Sequence, residues 1–357
     1  MTQPSRLYIA IRPNQANIAS RLAEADRERG EAAEVLFLIP QDRVAEWSAP
    51  FAESKHIRCL PRTSPDGAIG PTGWEQFEAA NLGRELAAEA PQGVRLMLPH
   101  ADDHLPALIL GNMAQNTNKL TGFERYYEGL SSYTFDATRH GWGAQIEGML
   151  PRHERPGFYA NRFIGIREYD DLFGVDSDSR ALGIEEVFPT LSDAEVEAEI
   201  PAFRAMRAGQ LPKTVFAGQC FASDGVTSEG YEKAMTKALL QSGEVGFVAR
   251  HPRNTILPDS KRIGTTPGGL EKYLGYMKRH GISLVSVFSS TAYAARAFGI
   301  ETRVVQIPEG QFCADRSHPK AAAHLALYDD IKQRLPEAPI TLDSKGQIIP
   351  SEDKPKP

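Results

Sequence analysis

The stretch GEVGFVARHPRN, residues 243–254, decides how the chain is read. Its apolar run Gly246–Arg250 has the length and β-branched content of a buried strand. The strand stops at His251-Pro252. Proline bars a helix there and pushes His251 towards extended backbone. A buried strand that ends abruptly on a polar side chain is what the carboxyl edge of an open α/β sheet presents to a ligand.

Outward from this strand the same plan repeats. Further strands are predicted at Thr214–Gly218, Ser283–Phe288 and Thr302–Ile307. Helices are predicted at Glu229–Gln241, Gly269–His280, Ser290–Phe298 and Pro319–Gln333. The first half alternates in the same way. Its strands are Arg6–Ile11, Glu34–Ile39, Ile57–Leu60, Val94–Leu98 and a run near Lys119–Tyr127, with amphipathic segments at Asn17–Arg29 and Trp74–Glu89. Strand–helix alternation with continuous apolar strands predicts parallel sheets covered on both faces. A single core rarely grows past about 250–300 residues, so a chain of 357 is expected to form two domains. Residues 167–212 are acidic and irregular, and residues 336–357 are a polar tail whose end, SEDKPKP, has too little apolar content to pack. The expected division is 1–200, 201–335 and a tail 336–357.

Composition narrows the function classes. A net charge of −6 provides no basic field, which excludes nucleic acid as the expected partner. Cys59, Cys220 and Cys313 are far apart with no CxxC pairing, which suits a reducing compartment. No run approaches 18 apolar residues, and MTQPSRLYIAIRPN runs into a strand without a signal-peptide apolar region. A cytoplasmic location is expected, with peripheral association at the inner face of the membrane left open. No strand is followed by GxGxxG, GxxxxGKS or GxxxxGKT, which disfavours a nicotinamide dehydrogenase or a P-loop NTPase.

Three predicted strands of the second half end in Gly218-Gln219, His251-Pro252 and Ser289-Ser290-Thr291. In a parallel sheet these ends share one edge. Glycine allows close backbone approach, and hydroxyls at a strand-to-helix turn can cap a helix or meet an anion. Arg250 and Arg253 flank the histidine and are candidates to screen ligand charge.

The His-Pro of ARHPRN and the hydroxyls of FSSTAYAARAFG resemble two of the three motifs of bacterial GT-B sialyltransferases, including polysialyltransferases. The third, acidic-acidic-Gly, has its counterpart in ERYYEGLSSY at Tyr127-Glu128-Gly129. Order and spacing agree over roughly residues 90–310. The resemblance implies a GT-B fold, two Rossmann-like domains with parallel sheets facing across a cleft. It also implies an inverting, metal-independent transfer of sialic acid or a related nonulosonic acid from a CMP-activated donor to a hydroxyl of a bacterial surface glycan. The CMP-sugar is a co-substrate and no separate cofactor is implied.

In that reading His251 supports the departing phosphate oxygen. Gly218, Gln219, Pro252, Ser289, Ser290 and Thr291 line the donor. Glu128 is the base for the acceptor hydroxyl. The chain departs from the pattern at the first acidic position, which is Tyr127, so Glu124 and Asp136 are alternative bases. Gly129, His100 and Asn112 are acceptor-side candidates. A CMP-Kdo or CDP-glycerol-type transferase of the same fold, or a degenerate nucleotide-binding homologue, is the alternative.

Other clusters read more plainly. His100, Asp102, Asp103 and His104 could ligate a metal but suit a loop-to-helix turn. GTTPGGLEKY, residues 264–273, reads as a turn opening a helix, and Cys220 reads as packing.

Overall fold

A computed structural model describes residues 6–62, 73–89, 92–99, 104–116, 119–126, 163–188, 191–251, 253–267, 269–289, 291–312, 321–335 and 339–350. The chain forms two compact units, Met1–Gly183 and Ile184–Pro357.

In the first unit the strands are β1 (Arg6–Ala10), β2 (Ala33–Pro40), β3 (Ile57–Arg62), β4 (Val94–Leu98), β5 (Leu120–Tyr126) and β6 (Phe163–Ile164). They form one sheet in the order β3-β2-β1-β4-β5-β6, with every pairing parallel. Alternate strand residues Leu7, Ile9, Leu36, Leu38, Leu96 and Leu98 share a core with Leu86, Leu105, Ile109 and Met113, from the helices Gly73–Glu89 and His104–Asn116. On the helix Pro13–Glu28 the buried apolar stripe Ala16, Ile18, Ala19, Leu22, Ala23 ends on Asp26, which is fully buried. Its carboxylate accepts hydrogen bonds from the Tyr8 hydroxyl at 2.7 Å and from Arg6 and Arg29 at 2.6 Å each.

The second unit repeats the arrangement. Its strands are β7 (Thr214–Ala217), β8 (Phe247–Arg250), β9 (Ile263–Thr265), β10 (Ser283–Ser286), β11 (Thr302–Gln306) and β12 (Ile340–Thr341). The order is β12-β11-β10-β7-β8-β9, again all parallel. Counted along the chain, each sheet has the doubly wound order 3-2-1-4-5-6, so strand direction of travel reverses between β1 and β4 and between β7 and β10. Among the described residues no helix is long and apolar enough to cross a membrane.

The division falls at 183/184, earlier than the expected 200/201, and the reason is charge and ring packing. Phe203, on the short helix Pro201–Arg207, stacks on Tyr276 and meets Phe247 and Tyr273 edge-on. Glu199 accepts from the Tyr273 hydroxyl at 2.5 Å and from Lys272 at 2.9 Å. Asp193 accepts from Arg279 at 2.9 Å. The part of the acidic segment from 184 to 200 therefore packs with basic and aromatic residues of the second unit, while residues 167–183 stay with the first. The segment from 336 also differs from a plain tail. Ile340–Thr341 pairs with β11, and Leu342 is buried. Residues 351–357, including the end expected to be disordered, lie outside the described residues.

Candidate functional site

The three predicted strand ends lie side by side, because β7 is flanked by β10 on one side and β8 on the other. Their exits are Gly218 after β7, His251 after β8 and Ser289 after β10, beside the point where the strand order reverses.

His251 is held by its Nδ1. The backbone N–H of Arg253 donates to that atom at 3.1 Å, and the Cys220 Sγ lies 3.1 Å from it. A backbone amide is only a donor, so Nδ1 accepts, and the neutral ring carries its proton on Nε2. Burial, reinforced by the nearby Arg253 guanidinium and opposed by Asp224, lowers the imidazole below its ordinary value. The resting group is thus a neutral imidazole with an Nε2–H donor. Cys220 is not only packing, since it touches the ring; burial raises its thiol, which keeps it protonated.

The direction of the His251 shift fixes its pH behaviour. A folded value below the unfolded one means that the unfolded chain takes up the proton first. The contribution to stability is complete above about 6.5 and is lost as the pH falls from there towards the folded value. A ring titration followed by NMR is expected to place the His251 midpoint below that of a reference histidine. Arg253→Ala should raise the midpoint and Asp224→Asn should lower it. A midpoint above the reference would contradict a neutral resting ring.

Glycine at 218 has a packing reason. A Cβ there would sit 3.0 Å from the Ala249 carbonyl oxygen, while its own N–H donates to that oxygen at 2.9 Å. The main-chain carbonyl of Gln219 accepts from Asn254 Nδ2 at 2.8 Å. Arg250 is not available to a ligand, because it donates to the carbonyls of Asn254 and Leu257 and to Asp259 at 2.8–2.9 Å. Arg253 is 63% exposed and has Asp224 at 3.6 Å, so it retains the capacity to screen charge.

The hydroxyl cluster is largely committed inward. Ser289 and Thr291 are buried. Ser289 Oγ accepts from the Thr291 N–H at 3.3 Å, and the Thr291 hydroxyl donates to Glu271 at 2.6 Å. Glu271 belongs to the GTTPGGLEKY stretch. That stretch forms a 3-10 turn, Leu270–Tyr273, entered through Gly269 at φ 92°, before the helix Leu274–Arg279. The turn reading holds, and it also ties this loop to the exit of β10. A cavity of about 490 Å³ opens at the end of β11, the strand beside β10, walled by Gln306, Ile307, Glu309, Phe312 and Tyr328.

In the first unit Asn112, an acceptor-side candidate, stands on the helix His104–Asn116. Its Cβ lies 3.5 Å from the place a Cβ on Gly83 would take, in the seam between two helices, and its side chain donates to Leu108 O at 2.9 Å. Glu124, the alternative base, is held on both oxygens by Arg95 and Arg180 at 2.5 Å. Glu128, Gly129, His100, Pro252 and Ser290 lie outside the described residues, as do Tyr127, Asp136 and every position of the His-x-Asp-Asp-His run before its final His104.

Two residues of the site carry no motif signal of their own. Asn254 and Glu232 are both buried and hydrogen-bonded to each other. In the sequence Glu232 is one of two glutamates in the first turn of its helix and Asn254 the asparagine that closes HPRN.

No family model matches the chain, and no curated protein matches it by sequence. Solved structures are similar in fold. A sialyltransferase from Photobacterium damsela is 14% identical with a TM-score of 0.50, covering 92% of this chain and 79% of that one. Arabidopsis thaliana UGT89C1 complexed with UDP-L-rhamnose is 12% identical with a TM-score of 0.50, covering 99% and 88%. A putative UDP-N-acetylglucosamine 2-epimerase from Listeria monocytogenes is 13% identical with a TM-score of 0.51, covering 94% and 89%. The paired 3-2-1-4-5-6 sheets together with these likenesses identify a GT-B fold.

Proposed function

We propose that the chain is a glycosyltransferase that moves a nonulosonic acid, of the sialic acid type, from a CMP-activated donor to a sugar hydroxyl. The observation that carries this reading is His251 at the exit of β8, its Nδ1 occupied and its Nε2–H left to donate. CMP departs with negative charge growing on the phosphate oxygen, and a neutral imidazole N–H is suited to meet that charge. Arg253 supplies an exposed positive charge nearby. Ser289 and Thr291 shape the turn after β10, and Ser290 is the hydroxyl of the cluster assigned to the phosphate. The cavity beyond β11 suits the nucleoside in size and mixed polarity. Glu128, from the first unit, is assigned as the base that takes the acceptor proton. No metal and no further cofactor are assigned a role. The acceptor is assigned as a bacterial surface glycan, worked on from the cytoplasmic side.

The fold alone does not choose among nucleotide-sugar chemistries, since a UDP-sugar epimerase shares it. The deciding measurement is thermal unfolding against CMP, CDP, UDP, ADP and NAD at millimolar concentration. A ligand that binds only the folded state at about 100 times its Kd stabilises by roughly 2.7 kcal/mol, a shift of several degrees for a protein of this size. A shift with CMP that shrinks in Ser290→Ala or His251→Ala is expected. A preference for UDP or NAD, or no response to any cytidine nucleotide, would overturn the donor assignment.

A further inference from the structure

Glu232 stands on the helix Glu229–Gln241 with no exposed surface. It is not the helix cap. Ser228 fills that role, its hydroxyl accepting from the Tyr231 N–H at 3.2 Å. A carboxylate sealed from water is costly unless its oxygens are fully used, and an apolar residue of similar volume would pack the same space. Both oxygens are used, and both on loops of the site. Oε2 accepts from the Ala222 N–H at 2.8 Å, in the loop after β7, and Oε1 accepts from the Asn254 amide, in the loop after β8.

Asn254 extends the grip. Its Oδ1 accepts from the N–H groups of Ile256 at 3.0 Å and Leu257 at 3.3 Å, its Nδ2 also donates to Gln219 O, and its own N–H donates to His251 O at 2.9 Å. On the other side, the loop beginning at Gln219 carries Cys220, whose carbonyl accepts from the Asp224 N–H at 2.9 Å. The two groups that meet His251 Nδ1 therefore arrive from two different loops, Cys220 from one and the Arg253 amide from the other. One buried carboxylate spans both loops.

We propose that Glu232 is the positioning residue of His251, acting with Asn254 to hold the two loops in register so that Nδ1 accepts and Nε2 carries the proton. The role in catalysis rests on the reading of His251 given above, whereas the geometry of the ring does not.

The test separates the two. Ring 1H–15N correlation spectra of the full chain, labelled with 15N-histidine, report the tautomer directly, and His251→Ala identifies the signal. The parent is expected to show the Nε2–H form. Glu232→Gln must place an amide N–H against either the Ala222 N–H or the Asn254 amide. It is expected to change the His251 tautomer ratio roughly tenfold towards Nδ1–H, as expected for loss of a charge-assisted hydrogen bond, while unfolding stays cooperative. Asn254→Ala breaks the same tie from the other end and is expected to give the same spectral change. An unchanged His251 tautomer in either folded variant overturns the proposal. So does loss of cooperative unfolding in both, because the pair would then hold the fold and not the ring. If the tautomer responds but the parent shows no response to CMP, the positioning role stands and the donor assignment falls.

Discussion

Replacing His251 with alanine is expected to lower kcat for CMP-sugar turnover by about 10²–10⁴-fold, the usual worth of a positioned proton donor. Donor affinity should weaken far less, by about fivefold, the worth of one neutral hydrogen bond. The split follows from where the charge is. On the proposed reading, the donor phosphate in the ground state would have solvent and Arg253 to meet it. In the transition state the bridging oxygen gains charge that a fixed Nε2–H stabilises without reorganising. For that proposed role the ring needs no rearrangement, since its other nitrogen is already occupied and burial favours its neutral form.

If Glu128 is the proposed base, Glu128→Ala is expected to be comparably severe in kcat while leaving the CMP-induced thermal shift intact, since such a base would act on the acceptor. The double variant should fall little below the worse single one, as groups serving one step are not additive. Steady-state CMP release, with binding followed separately by thermal shift, checks each statement. Turnover of His251→Ala within about threefold of the parent, far below the usual effect of removing such a group, would remove the imidazole from the chemistry. Near-full turnover of Glu128→Ala would return the base to an open question and give weight to the departure at Tyr127.

The central strands were legible because a parallel strand buried on both faces is a run of apolar residues whatever its neighbours are. Val94–Leu98 and Thr214–Ala217 show it directly. The strands that escaped, Phe163–Ile164, Ile263–Thr265 and Ile340–Thr341, are two or three residues long, and one contains Gly264, so they carry no period to detect. The alignment of Gly218, His251 and Ser289 was legible for the same reason as the strands, since parallel strand ends share an edge. What held them was not. Glu232 and Asn254 are 22 residues apart, and each looks like an ordinary polar position until the fold joins them. The acidic stretch was misassigned for a related reason. Asp193 and Glu199 find their partners at Arg279 and Lys272, about 70–90 residues away, and complementary charge at that separation leaves no local trace.

Asp26 follows the same logic and carries the largest expected effect on stability. A helix periodicity treats an aspartate four residues after Leu22 as a break in the apolar stripe, yet its carboxylate is fully buried between Arg6, Tyr8 and Arg29. Arg6 and Tyr8 both lie on β1, so this one side chain fastens the helix to the first strand of the sheet. Removing one partner of a fully buried ion pair costs about 3–5 kcal/mol; here Asp26 is sealed and Arg6 is largely so, while Arg29 reaches water and Arg6 keeps Glu31 at 3.6 Å. Asp26→Asn keeps the shape but places an amide N–H against a guanidinium, so it is expected to reach the lower part of that range. For the first unit that is a fall in Tm of about 10 °C. Tyr8→Phe removes only a hydroxyl donor to the same carboxylate and is expected to cost about 1.5–2 kcal/mol, the low end for a hydrogen bond to a charged group. Arg43→Ala, which breaks the exposed pair with Glu46 at 3.1 Å, should cost less than about 1 kcal/mol. The ranking, measured by thermal or urea unfolding of the three variants at pH 7, is the check. If Asp26→Asn proved no worse than Arg43→Ala, the buried cluster would not be what joins that helix to β1, and apolar packing along Ala16–Ala23 alone would have to account for it.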